Sequence, residues 1–242
     1  MGSIISNRTW DNPKEFYDSF QNEIFKTNFY HYSYVGENDD EFFNFILDKS
    51  EIKANGKTLD LGCGSGYLTH KLSKICDSVG LSNNLDVALS RFPNCNFILC
   101  NMEAYEKENY YDNILALESL GYSKDPWKTL KLIFKNLKVG GKFYIKDGFA
   151  LPKSKLTFKG KLQLMHWSDY WQYAIMTYND FKKNAEKIGF TILNKEDIGD
   201  KINLKNGEQA IIDTGTSYPL DTYPFPDEPY HEYLSILLQK VS

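Results

Sequence analysis

The sequence has no long apolar run, no block of basic residues and no C-x-x-C cysteine pair. Each absence excludes a class of protein. Nothing approaches the ~20 consecutive apolar residues of a bilayer-spanning helix, so no membrane span is expected. The first residues, with Arg8 and Trp10 among polar neighbours, lack the apolar core of a signal peptide. A net charge of −4 without a basic face argues against nucleic acid as a main partner, because phosphate contacts need clustered Lys and Arg. Cysteines 63, 76, 95 and 100 sit in or beside apolar runs and read as reduced thiols of a cytoplasmic protein. No H-x-x-x-H or Cys/His cluster offers ligand spacing, so no metal is expected.

What is plentiful is aromatic, with 17 Tyr, 16 Phe and 4 Trp making up 15% of the chain. Asn, Lys and Ile are abundant too, so aromatic content alone does not argue for a cation-binding pocket. At 242 residues, 42% of them hydrophobic, the chain can bury one substantial core.

Asn12-Pro13 opens a helix, with proline early, where its missing N–H costs little, and with Phe16, Phe20, Ile24 and Phe25 as its apolar stripe. After the aromatic segment Phe29–Gly36, a second helix is expected beyond Asn38-Asp39-Asp40, burying Phe42, Phe43, Phe45, Ile46 and Leu47. We read 1–54 as a helical cap ahead of one α/β domain at 55–242. From Lys57 strands and helices alternate, which implies a mostly parallel sheet covered on both faces. Strands are expected at 57–61, 78–81, 96–99, 113–117 and 142–146. Helices are expected at 66–75, 84–92 and 125–137, the last stopped by Gly140-Gly141. The alternation lapses over about 148–176, read as a lid insertion. A helix at 177–188 and a strand at 190–193 follow. Next comes an irregular insertion at 199–230, with prolines at 219, 224, 226 and 229 and a short strand at 210–212. The last strand is expected at 233–238.

The stretch richest in chemistry is Leu59-Asp60-Leu61-Gly62-Cys63-Gly64-Ser65-Gly66. An apolar run precedes it, and Tyr67, Leu68, Leu72 and Ile75 recur after it at helical spacing, so it reads as strand, glycine turn, helix. Glycines there permit backbone angles closed to other residues and let a ligand approach the bare main chain. Gly66 opens the helix, whose N–H groups favour a carboxylate or phosphate. Asp60 can accept hydrogen bonds from an ammonium or a hydroxyl. The G-x-G-x-G spacing differs from the dinucleotide fingerprint, whose third glycine comes later.

This stretch resembles motif I of the class I S-adenosylmethionine-dependent methyltransferases, and the resemblance extends over about 57–193. It implies a Rossmann-like, doubly wound, seven-stranded sheet of order 3-2-1-4-5-7-6. It also implies S-adenosylmethionine as cofactor and S-adenosylhomocysteine as product. Asp60, Gly62, Cys63, Gly64 and Gly66 would hold the methionine part. Val79-Gly80-Leu81-Ser82 matches the end of strand two, where the family places an acid on the ribose; here Ser82 and Asn83 stand in its place. Leu99-Cys100-Asn101-Met102-Glu103 matches the turn after strand three, so Asn101 would take the adenine amino group and Met102 the ring, with Glu103 beside them. Leu137–Lys146 looks like the approach to strand five, with Val139 where proline is usual.

Two further features are similar to the branch holding cyclopropane fatty acid synthases and the sterol and prenyl diphosphate C-methyltransferases. One is Tyr32-Ser33, which that resemblance places on the cofactor. The other is Glu118-Ser119-Leu120-Gly121-Tyr122 after strand four. Glu118 could stabilise a carbocation or remove a proton; equally, it could bond the cofactor or cap the next helix. The histidine that follows this glutamate in cyclopropane synthases is Ser119 here, so cyclopropane formation is not expected. His166, beside Trp167, Tyr170 and Trp171, and His31, beside Tyr30 and Tyr32, are the other candidate bases, each with a purely packing role as its alternative. Tyr30, Tyr122, Trp167, Tyr170 and Trp171 are the expected substrate pocket.

The activity so implied is methyl transfer to a small molecule, most sharply C-methylation of an isoprenoid-like alkene. N- or O-methylation of a small metabolite is the alternative, and a non-catalytic binding protein of the same fold a third reading. Such a chain would work as a monomer or homodimer.

Overall fold

A computed structural model of the chain describes residues 4–5, 34–170, 173–203 and 228–242. The helix expected at Pro13, the site candidates Tyr30, His31, Tyr32, Ser33 and Trp171, and the strand expected at 210–212 lie outside the described residues.

The strands are β1 (Ile4–Ile5), β2 (Tyr34–Val35), β3 (Lys57–Leu61), β4 (Asp77–Ser82), β5 (Asn96–Leu99) and β6 (Tyr111–Leu117). They continue with β7 (Leu137–Ala150), β8 (Ile175–Met176), β9 (Phe190–Asp197), β10 (Ile202–Asn203) and β11 (His231–Lys240). The helices are α1 (Asp39–Ser50), α2 (Tyr67–Leu72), α3 (Asp86–Arg91), α4 (Pro126–Asn136), α5 (Phe158–Tyr170) and α6 (Tyr178–Ile188).

Seven strands form one sheet in the order β5-β4-β3-β6-β7-β11-β9. Numbered along the chain these are 3-2-1-4-5-7-6, the order expected. β5, β4, β3, β6 and β7 run parallel, whereas β11 is antiparallel to both β7 and β9. The carboxyl ends of the parallel strands therefore share an edge with the start of β11, where His231 pairs with Ala150.

Local chemistry explains where the helices begin and end. The Asn38 side chain accepts from the Asp40 and Glu41 N–H groups, and Glu41 returns a carboxylate oxygen to the Glu37 N–H at 2.9 Å, which caps α1. Asp125 caps α4 through the Lys128 N–H, with Pro126 just inside the helix. Thr177 caps α6 through the Asp180 N–H, and Gly189 ends it at φ +121°. Apolar residues then cover both faces. On one, Ile114, Ala116, Phe143, Ile145 and Ile236 pack with Leu130 of α4 and Phe181 of α6; on the other, Leu115, Leu117, Tyr144 and Leu237 meet Phe42 of α1 and Leu68 of α2.

Several elements differ from expectation, β9 reaching Asp197 and β11 covering His231–Lys240 among them. β7 is far longer than 142–146, because Gly140, at φ +78°, lets Lys138–Gly141 bulge within the strand instead of ending it: Tyr111 pairs with Leu137 and Asn113 with Lys142. α5 occupies much of the stretch read as a lid insertion, for which the sequence pattern assigns no element. Thr157 starts it, its hydroxyl accepting from the Gly160 N–H at 3.0 Å and donating to Glu228. No helix among the described residues is long and apolar enough to cross a membrane.

Candidate active site

The glycine turn after β3 needs its glycines. Gly62, Gly64 and Gly66 have φ of +78°, +51° and +79°, a region costly for other residues. Gly62 is also hemmed in, since a Cβ there would lie 2.5 Å from Ser119 Cβ and 3.6 Å from Met102 Cε. The Gly62 and Cys63 N–H groups both donate to the Leu81 carbonyl, and Gly66 donates to the Cys63 carbonyl at 2.8 Å. The Cys63 side chain packs with Leu85 and Ala88. Gly66 caps α2, as expected, but α2 spans only 6 residues, so the loop's geometry counts for more than a helix dipole.

Asp60, almost fully buried, accepts from the Thr69 hydroxyl at 2.7 Å. Burial pushes its carboxyl up to about 6, and the Thr69 bonds offset only part of that rise. A buried acid with a neutral partner is a natural seat for a cation. Ser82 is buried and its hydroxyl accepts from the Asn84 N–H at 3.3 Å, while Asn83 and Asn101 are exposed and Glu103 half-buried. At the end of β6, the Ser119 hydroxyl donates to the Leu61 carbonyl at 2.6 Å, which clasps the carboxyl ends of β6 and β3 together. Gly62, Met102 and Ser119 thus form one corner.

Glu118, next to that clasp, has φ +50°. Its Oε1 takes the Lys146 Nζ at 2.6 Å, and its N–H donates to the Lys146 carbonyl at 2.8 Å. Lys146 has no exposed side-chain surface, and the Phe42 ring lies 5.6 Å from its ammonium. Lysine is almost never buried unless paired, so this ion pair fixes the glutamate. Sequence reasoning picked out Glu118 and missed its lysine. The signal available was a lysine closing the apolar run Phe143-Tyr144-Ile145.

Asp147 follows. Tyr173 donates its hydroxyl to Asp147 Oδ2, and the Gly148 N–H donates to Oδ1 at 2.8 Å. Burial, together with the nearby Glu118 charge, raises the Asp147 carboxyl to about 7 against the pull of Tyr173. Burial also pushes the Tyr173 phenol well up. Tyr173 joins two of the five expected pocket residues: Tyr122 meets its ring edge-on at 4.8 Å between centroids, and Trp167 does so at 5.5 Å. Gly121 makes room, since a Cβ there would fall 2.2 Å from the Tyr173 ring.

Trp167 also faces His231, with centroids 6.2 Å apart and ring planes 22° apart. Sequence reasoning gave His231 no role. His166, one of the three candidate bases with Glu118 and His31, is half-buried on α5. Tyr170 is the last residue of α5. Among the described residues no His, Cys, Asp and Glu cluster could hold a metal ion.

Residues 52–188 match the family described as "Methyltransferase domain". The chain belongs to that family. Among curated relatives, this methyltransferase-domain protein is 28% identical over 130 residues to phosphoethanolamine N-methyltransferase 1 of Zea mays, covering 49% of this chain and 26% of the relative. The curated relatives are matched over only 26% to 48% of their own length. Among solved structures it superposes on the [4+2]-cyclase SpnF with a TM-score of 0.74 at 15% identity, covering 98% of this chain and 99% of the other. It superposes on geranyl diphosphate C-methyltransferase from Streptomyces coelicolor A3(2) with a TM-score of 0.70 at 14% identity, covering 93% and 98%. A cyclase and a C-methyltransferase thus share this methyltransferase fold, so the reaction must be argued from the site.

Proposed function

We propose that this methyltransferase acts on a small-molecule acceptor held at the carboxyl edge of the sheet, between the Glu118–Lys146 pair and α5. The methyl donor is S-adenosylmethionine, which supplies an electrophilic methyl on a sulfonium. The observation that carries the reading is the corner of Gly62, Met102 and Ser119, closed by the 2.6 Å bond from Ser119 to the Leu61 carbonyl. In this reading Asp60 takes the donor's ammonium, Gly62–Gly66 its methionine part, and Met102, Asn101 and Glu103 the side of the base. Ser82 and Asn83 take the ribose with neutral groups. Catalysis consists of placing the acceptor in line in a site that excludes water.

The ion pair bears on the acceptor. Methylating an alkene creates a carbocation, and here the carboxylate that would face it already neutralises an ammonium 2.6 Å away. Lys146 therefore weighs against the isoprenoid-like alkene and favours an acceptor that attacks through an oxygen or nitrogen lone pair. Calorimetric titration with S-adenosylmethionine and S-adenosylhomocysteine tests the donor. Incubation with methyl-labelled donor and a panel of phenols, amines and prenyl diphosphates tests the acceptor. Saturable binding with label in phenols or amines is expected; absence of binding would overturn the reading.

A further inference from the structure

His231 begins β11 at the edge of the sheet that holds the glycine turn and Glu118. It pairs with Ala150, and its Cδ2 lies 3.5 Å from where a Gly148 Cβ would be. Rings surround it: Tyr230 at 4.2 Å between centroids, Tyr233 at 4.8 Å and Trp167 at 6.2 Å. Its Nε2 is sealed from solvent, and among the described residues it has no hydrogen-bond partner. Leaving a buried polar atom unsatisfied is costly, so such an atom calls for an explanation. The strand pleat puts His231 on the same face as Lys146, but Lys146 pairs with Ser235, four residues along β11, roughly 13 Å away by strand rise. The ion pair cannot serve it.

Resting on the methyltransferase reading above, we propose that His231 Nε2 contacts the acceptor, that the acceptor is a phenol-type hydroxyl compound, and that His231 takes the hydroxyl proton. With its proton on Nδ1, the imidazole presents a lone pair at Nε2. The acceptor reaches it once one of the packed rings of Trp167, Tyr230 and Tyr233 turns aside, and sets its own ring against the others, which favour aromatic contact. The hydroxyl oxygen attacks the methyl carbon; the new C–O bond forms as the C–S bond breaks, its electron pair staying on sulfur. The O–H proton passes to Nε2. The positive charge lost from the sulfonium reappears on the imidazolium, so the site's net charge is unchanged and no other reactant is needed.

An amine fits less well. Protonated, it has no lone pair, and the carboxylates near by are already engaged: Glu118 with Lys146, and Asp147 with Tyr173 and the Gly148 N–H. Burial holds His231 down at about 4, so near neutral pH the imidazole is neutral and keeps the lone pair that a hydroxyl can donate to.

The test uses the full chain and its variants His231→Phe and His231→Gln. The first readout needs no donor: titration of a phenol panel followed by ¹⁵N resonances of labelled histidines. The His231 Nε2 signal should move with saturation in the wild type, and His231→Gln should bind more weakly. The second is turnover. General-base assistance is worth about 10²-fold or more, so His231→Phe should lose at least that in kcat on phenols with KM for S-adenosylmethionine unchanged. Thermal melting confirms that each variant folds, and the histidine spectrum carries the test if His231→Phe does not. An unmoved Nε2 signal, or full phenol turnover by His231→Phe, would overturn the proposal. So would label confined to amines, which leaves the methyltransferase reading standing. Failure to bind S-adenosylmethionine would overturn that reading instead.

Discussion

Lys146 and Glu118 meet at 2.6 Å across the carboxyl ends of two neighbouring strands, and the lysine side chain is wholly buried. Removing one member of such a pair leaves a buried charge uncompensated. Glu118→Gln should therefore cost about 3 kcal/mol, the low end for buried pairs because Glu118 keeps 21% of its side chain exposed. Lys146→Met in the same chain should restore most of that loss. Urea unfolding of the two single variants and the double variant would show it as a coupling of opposite sign to the single losses. Additive losses would mean that the pair does not act as a unit.

Asp147 makes a stability prediction with a definite sign. Its folded carboxyl sits at about 7, above the ordinary value of 3.8, so the folded state binds the extra proton. The stabilisation is present below about pH 4 and is lost as pH rises towards 7. Asp147→Asn has no such proton, so wild type should lose stability against this variant across that window, by at most ~1.4 kcal/mol per pH unit. His231 acts in the opposite sense between about 4 and 6.5, which is why the comparison is with a variant and not with the bare pH profile. Melts at pH 4.5 to 7.5 would measure the difference; a constant difference would refute the reading.

Asp60 should make donor binding depend on pH. Holding an ammonium requires the carboxylate, and burial keeps the empty site's carboxyl at about 6. Affinity for S-adenosylmethionine should fall about tenfold for each unit below pH 6, and binding near pH 6 should release a proton, visible as buffer-dependent heat. Asp60→Asn should bind weakly with no pH dependence over that range.

The crowding at Gly62 gives a steric prediction. Gly62→Ala meets both a φ of +78° and Ser119 Cβ at 2.5 Å, so it should destabilise the chain by more than 1 kcal/mol and abolish donor binding. Adding Ser119→Gly relieves the clash but not the backbone angle. Partial recovery of the melting temperature is expected, whereas full recovery would mean that the angle costs little.

The parts legible in the sequence are those whose cause is local. Asn96–Leu99 is a short apolar run between polar residues, and it was bounded correctly. The glycine turn was legible because positive φ leaves few other residues eligible. β7 was underestimated because a two-glycine bulge looks like an end and Lys146-Asp147 looks like a surface. In the candidate site, Glu118 could be picked out from its neighbours, but its lysine stands 28 residues away and the Asp147–Tyr173 contact joins residues 26 apart. Such partners acquire meaning only when β6 and β7 are laid side by side. Tyr173 and His231 sat in or next to segments without periodicity, where nothing in the pattern distinguishes a packed ring from a loop residue.

β11 lies between β7 and β9 in the sheet although it follows both along the chain. During synthesis, β9 emerges with no neighbour to receive it, and β7 keeps an open edge until His231–Lys240 has been made. An unpaired strand edge of that kind is what other chains add to, so β7 and β9 stay open to misassociation until residue 240 has left the ribosome. Closing the sheet and setting His231 over Gly148 are then one and the same event.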